Sequence, residues 1–227
     1  MSLLEFARGT GMAIAAAAFV AVTVWRLVGI ALLRGSTDLS EPRSKAAWKG
    51  LRLIMLRSWP RREFLAGSAF SEITGYTFHI GFLLVLFFYV PHIEFFADVF
   101  AGLLGRHLPS GIGWPSLPSG AATALTVLSL AALLAVLMHR LANPVKRLLS
   151  NFDDYFSWLV TVAPLATGLA AHDHVGGARY EMLLAWHLLT VEALLIWFPC
   201  GKLMHALTIF AARGTSGVLF ERKGAAL

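Results

Sequence analysis

The sequence predicts an all-α polytopic membrane bundle of five transmembrane helices, with the N-terminus outside and the C-terminus in the cytoplasm. Three observations carry that prediction. Of 227 residues, 57% are hydrophobic and only 14% charged, a composition unlike that of soluble domains. Apolar runs long enough to cross a bilayer recur along the chain. The Lys and Arg residues gather between alternate runs. On this reading residues 1–227 form a single membrane domain.

The first span is expected at about 11–33. It is too long for the apolar core of a signal peptide, and Arg8 alone makes a thin basic start. Arg26 lies near its far end, where a long side chain reaches the headgroups. Residues 34–66 follow with Arg34, Arg43, Lys45, Lys49, Arg52, Arg57, Arg61 and Arg62 against Asp38, Glu41 and Glu63, the strongest cytoplasmic marker in the chain. Within this segment KGLRLIMLRSWPRR reads either as an amphipathic surface helix or as a solvated basic loop.

The second span, about 67–91, carries His79 and ends at Pro91, and Glu72 in it is expected to meet the interface. Residues 92–118 read as an outer loop rich in Gly and Pro. The third span is placed at 119–138, followed by a cytoplasmic turn at Asn143-Pro144 with Arg140, Lys146 and Arg147. The fourth, 154–171, tolerates Pro164, and the short outer loop after it holds His172, His174 and Arg179. The fifth runs 182–210, before a tail with Arg213, Arg222 and Lys223. Lys and Arg then number fourteen inside against three outside, which sets the orientation.

Basic as the chain is, this pattern points to lipid rather than nucleic acid. There is no Walker loop, GxGxxG, HExxH or CxxC. A lone cysteine, Cys200, excludes an iron–sulfur cluster held by this chain alone.

Histidines inside spans are the remaining chemistry, because ligating groups in a membrane usually have a partner. In a continuous fifth helix the eighteen residues from His187 to His205 make five turns, so both rings leave one face about 27 Å apart. Leu194, Phe198 and Gly201 lie between them on that face. Neutral imidazole suits haem iron. Depth counts from the cytoplasmic ends match His79 with His205 toward the inside and His92 with His187 toward the outside. A regular helix would turn His92 about 140° from His79. A break at Pro91 would remove that obstacle, and Tyr89 is an alternative neighbour; without a histidine partner for His187, a single haem on His79 and His205 remains.

His139 lies at the inner boundary, and His107, His172 and His174 are expected to be solvent-exposed; His172 and His174 with Asp173 make only a weak metal motif. Glu192 points off the ligand face, toward another helix or onto a proton path.

FHIGF (78–82), LANPVKR (141–147) and above all WHLLTVEALLIWFPCGKLMHAL (186–207) resemble the gamma subunit of respiratory nitrate reductase and the wider family of five-helix membrane cytochromes b. The resemblance implies a subunit with haem b, two groups or one, ligated by His79, His205, His187 and His92. It would take electrons from quinol near the outer face and deliver them to a cytoplasmic-side iron–sulfur subunit and a catalytic redox subunit. That places it in a bacterial or archaeal cytoplasmic (inner) membrane. His79, His187 and His205 match the family's ligand positions. The fourth ligand normally follows the first by ten residues, where this chain has Tyr89. Groups expected near a quinol are His92, Glu94, Arg106 and His107. The competing readings are a cofactor-free membrane anchor or assembly scaffold, and a small transporter using histidine and Glu192.

Overall fold

The computed structural model describes residues 2–33, 41, 48–58, 65–105 and 114–224. Most of the basic loop 34–66, together with Arg106 and His107, lies outside the described residues. Among the described residues there is no strand, only an isolated bridge between Tyr89 and Leu117. The helices are α1 (Leu3–Leu32), α2 (Trp48–Arg57), α3 (Leu65–Phe88), α4 (Val90–Leu104) and α5 (Ser119–Ala142). They continue with α6 (Pro144–Leu149), α7 (Phe152–His172), α8 (Tyr180–Trp197) and α9 (His205–Arg222).

Five segments are long and apolar enough to span a membrane: Leu3–Leu32, Ala66–Phe88, Ser119–Ala142, Tyr180–Trp197 and Lys202–Arg222. The protein is thus an all-α polytopic membrane chain, as its composition predicts. The set differs from the expected one in two places. The expected fourth span does form a helix, α7, with Asp153 and Asp154 in its first turn and His172 in its last, but it is not among these five. The expected fifth span is two helices.

The chain forms two compact units. The first comprises Met1–Ser68, Asn151–Val160 and Leu188–Leu227, the second Ala69–Ser150 and Thr161–His187.

In the first unit, α1 starts earlier than its apolar run. Ser2 and Glu5 form a capping box, each satisfying the other's backbone N–H, and a π-helical turn at Ala7–Gly11 joins this start to the rest of α1. The helix α2 shows the first part of KGLRLIMLRSWPRR to be helical, while residues 59–62 lie outside the described residues. This helix packs antiparallel to α9 along a glycine seam. A β-carbon on Gly50 would stand 2.7 Å from the Gly214 carbonyl oxygen, and one on Gly217 would stand 2.7 Å from Leu53 Cβ. Only glycine lets two helix backbones approach so closely. Arg213 closes the seam by donating to Ser58 Oγ at 3.1 Å.

Residues 198–204 correct the expectation of one continuous fifth helix. Pro199 has no N–H to give to the preceding turn, Gly201 is extended at φ −106°, ψ −163°, and Lys202–Met204 is a 3₁₀ turn. The backbone groups left over find other partners. Arg26 donates to the Pro199 carbonyl at 2.7 Å and the Cys200 carbonyl at 3.3 Å, so it serves the break instead of reaching for headgroups. The Lys202 N–H donates to the Asp153 carboxylate at 3.1 Å, and Lys202 Nζ pairs with Asp154 at 2.6 Å. Trp197 Nε1 donates to Ser157 Oγ at 2.9 Å, which in turn donates to Asp153 at 2.6 Å. Phe198 sets its ring edge against Phe19, centres 5.6 Å apart.

In the second unit, α5 buries Ala122, Thr126, Ser129, Ala132 and Leu133, a stripe of mostly small residues at helical spacing that lets a neighbour come close. Gly81 of α3 fills that role, with no room for a β-carbon beside Ser129 Oγ. Thr126 and Ser129 donate to carbonyls of their own helix at 2.8 and 2.7 Å, so their burial leaves no hydroxyl unpaired. Asn143 ends α5 and caps α6 by accepting from Lys146 N–H at 3.0 Å, so the expected turn at Asn143-Pro144 continues as a short helix with Pro at its first position.

Candidate functional site: a histidine pair beyond a helix break

The expected span 67–91 and the expected loop 92–118 are both revised. The helix α3 stops at Phe88, Tyr89 is extended at φ −80°, ψ 129°, and α4 opens directly after it. The cause is Pro91: its missing N–H and its clash with the preceding turn end a regular helix. Because Tyr89 resets the chain direction, counting 100° per residue from His79 says nothing about where His92 points.

The structure brings His92 and His187 together. Their ring centres are 6.2 Å apart and their planes 21° apart. Van der Waals contact between stacked faces needs only about 3.5–4.0 Å, so the rings are not pressed together. Ordinary aromatic pairs also occur at such separations; the ring nitrogens distinguish this one. His92 Nδ1 lies 3.0 Å from the Val85 carbonyl oxygen, and His187 Nδ1 lies 3.1 Å from that of Pro164. A carbonyl only accepts, so each Nδ1 carries the proton and each neutral ring has its lone pair on Nε2.

Pro164 accepts from His187 through its backbone carbonyl, an oxygen that its own missing N–H does not free. With Pro91 and Pro199 it is one of three prolines that interrupt helical bonding near histidines; here Thr167 Oγ1 also donates to the Ala163 carbonyl at 2.7 Å and lies 3.4 Å from His187 Nδ1. Gly168 makes space for the ring, since a β-carbon there would stand 3.0 Å from His187 Cε1. His92 lies past the spanning part of α3. Burial lowers its pKa below the usual imidazole range, and its bond to Val85 opposes that shift in part.

Around the pair, Tyr89 sets its ring edge-on to His92 at 5.3 Å and to His172 at 5.7 Å. Its hydroxyl is 2.8 Å from His172 Nδ1. Burial, then Tyr180, then Asp173 raise the Tyr89 pKa, so the phenol stays protonated and donates to His172. His172, expected in an exposed loop, is the last residue of α7 and is engaged; His174 adopts a left-handed backbone at φ 51° and stacks on Tyr180 at 5.4 Å. The two histidines therefore point to different partners. Among the described residues no cluster of three or more His, Cys, Asp or Glu is arranged to hold a metal ion, which leaves the weak HxH motif without support.

The other two expected ligands share the same local pattern. His79 Nδ1 lies 2.7 Å from the Gly75 carbonyl and His205 Nδ1 2.8 Å from that of Lys202. His79 belongs to the second unit and His205 to the first. Because α8 and α9 are separate helices, His187 and His205 do not share a helix face. His139 stacks on Phe70, centres 4.4 Å apart.

Glu192 is buried in the first unit, 7% exposed, with Oε1 unpartnered among the described residues. It faces the π-helical turn of α1, where a β-carbon on Gly11 would stand 2.7 Å from its Oε2. It packs against another helix, as expected, but through a glycine rather than a charge partner.

Sequence reasoning found the four histidines but missed what holds them. The signal available was proline: Pro91, Pro164 and Pro199 each lie within a few residues of a histidine's helix break or carbonyl acceptor.

No family model matches the chain, and no solved structure matches it. It is similar to a protein of Nitratidesulfovibrio vulgaris strain Hildenborough, 33% identical over 199 residues that cover 88% of this chain and 80% of that protein. With that identity running through nearly all of both chains, the protein belongs to the same family as its Nitratidesulfovibrio relative.

Proposed function

We propose that the chain is the haem b subunit of a respiratory redox complex. It would move electrons between the quinone pool and a cytoplasmic-side iron–sulfur partner, in a bacterial or archaeal inner membrane. One observation carries the reading: the rings of His92 and His187 lie together, centres 6.2 Å apart, with each Nδ1 donating to a backbone carbonyl. His92 and His187 are the residues that would hold the haem iron through their Nε2 atoms. When bound, haem supplies one-electron chemistry at a potential set by ligands and burial.

The chain's own residues do the remaining work. The Val85 and Pro164 carbonyls fix the tautomer and the ring orientation, and they make each Nε2 a better ligand. Burial keeps His92 neutral and its lone pair available. Gly168 leaves the width that the His187 ring occupies. His79 and His205 are proposed as further haem ligands, each with its Nδ1 held by a backbone carbonyl. The resemblance to five-helix cytochromes b supports the same assignment, and the basic residues on the α2 and α9 side support a cytoplasmic docking face.

The test is a dithionite-reduced minus oxidised spectrum with a pyridine haemochrome count on purified protein. Two haems per chain are expected, and a colourless folded preparation would refute the reading in favour of a cofactor-free anchor.

A further inference from the structure

In the second unit, the break between α3 and α4 is held closed by identifiable substitutes for lost helix bonds. In a continuous helix the Phe87 carbonyl would accept from residue 91 and the Phe88 carbonyl from residue 92. Pro91 has no N–H, so the first bond is lost outright. The His92 N–H turns instead to the Tyr89 carbonyl at 3.0 Å, joined by Ile93 N–H at 3.1 Å. Both stranded acceptors are then served from the segment that follows α4. Trp114 Nε1 donates to the Phe87 carbonyl at 2.8 Å, and Leu117 N–H donates to the Phe88 carbonyl at 2.8 Å. Tyr89 is fixed from a third direction by its hydroxyl, 2.8 Å from His172 at the end of α7, while its ring braces the His92 ring.

Each of these contacts constrains the same variable, the rotation of α4 about the break, and that rotation decides whether His92 faces His187. Without the break His92 would turn about 140° from His79. A carbonyl left without a donor is unfavourable in a membrane-crossing chain, so the partners from 114–117 make this geometry preferable to others that Pro91 would allow.

We infer that Tyr89, Trp114 and His172 are positioning residues that form a clasp over the helix break and set the orientation of His92 beside His187. The inference rests on the proposed ligand role of His92. It also explains the longer ligand spacing: with thirteen residues from His79 to His92, the chain replaces a regular turn by a break that must be held.

The experiment uses the full-length protein in two measurements. The first is hydrogen exchange of the amides of Val90, His92 and Ile93, which needs no haem. The second is carbon monoxide binding to the dithionite-reduced protein, since six-coordinate bis-histidine iron leaves no place for it. Y89F, W114F and H172L should speed exchange at these three amides by roughly tenfold, the size of one lost hydrogen bond, and should open one haem to carbon monoxide. H172Q, which keeps a hydrogen-bonding partner for the Tyr89 hydroxyl, should resemble wild type in both. Unchanged exchange in Y89F and W114F would overturn the clasp, even with two haems bound. Wild-type protein without haem would instead overturn the ligand reading, while the exchange data would still decide whether the clasp exists.

Discussion

Gly168 stands against the His187 ring so closely that a β-carbon on it would lie 3.0 Å from Cε1 and 3.2 Å from Nδ1. The helix carrying Pro164 and Thr167 thus provides both the carbonyl that orients the imidazole and the hollow that receives it. Filling the hollow tests the site without touching a ligand. G168A should force the ring aside by a few tenths of an ångström and shift the spectrum of one haem, whereas G168V should remove that haem. The expected haemochrome ratio for G168V is one per chain, with a stability loss of about 1–3 kcal/mol from overpacking.

On the proposed reading His92 and His187 hold one haem, so their effects should not add. H92A and H187A are each expected to remove the same haem, and the double variant should lose no more than either single one. H79A should remove a different haem, so that H79A combined with H187A gives a colourless protein. Haem-to-protein ratios decide this directly. Full haem content in H187A would contradict the pairing.

Arg26 should matter to stability far from any ligand. Its guanidinium holds the Pro199 and Cys200 carbonyls at the helix break, and a hydrogen bond from a charged donor contributes about 1.5–3 kcal/mol. R26Q is expected to lower the thermal unfolding midpoint in detergent, measured by circular dichroism. R26K, with a single ammonium in place of a two-pronged donor, should fall between R26Q and wild type.

The glycine seam between α2 and α9 predicts a local effect. G217V would drive its side chain into Leu53, whose Cβ lies only 2.7 Å from the position of an added β-carbon. Hydrogen exchange across residues 48–57 should accelerate, and stability should drop by about 1–3 kcal/mol. Exchange elsewhere should change little.

What could be read in advance followed from composition and from single-residue chemistry. The apolar runs foretold an all-helical membrane chain, and the four histidines stood out because polar groups are rare in such runs. The Ser2 and Glu5 capping box went unread, because the apolar run alone starts α1 too late. The breaks were not legible from periodicity, because a repeat of 3.6 residues assumes an unbroken helix. His187 and His205 look coaxial in the sequence, and His92 looks misdirected, for that one reason. Prolines marked the sites of interruption, but where the chain turns next depends on partners distant in sequence, such as Trp114 for Phe87 and Arg26 for Pro199. Those pairings have no local signature.

The link between Arg26 and Pro199 also has a consequence in time. Synthesis delivers the first span, with its arginine, long before residues 199 and 200 exist. Until then a cation sits within a membrane-crossing segment, where an ionisable side chain without a partner is unfavourable. The nascent first helix is therefore unfinished in an electrostatic sense, and α2 likewise waits for α9 to cover its glycine face. The first unit closes only when the last segments arrive, so a chain that stops before Pro199 lacks the groups that complete its beginning.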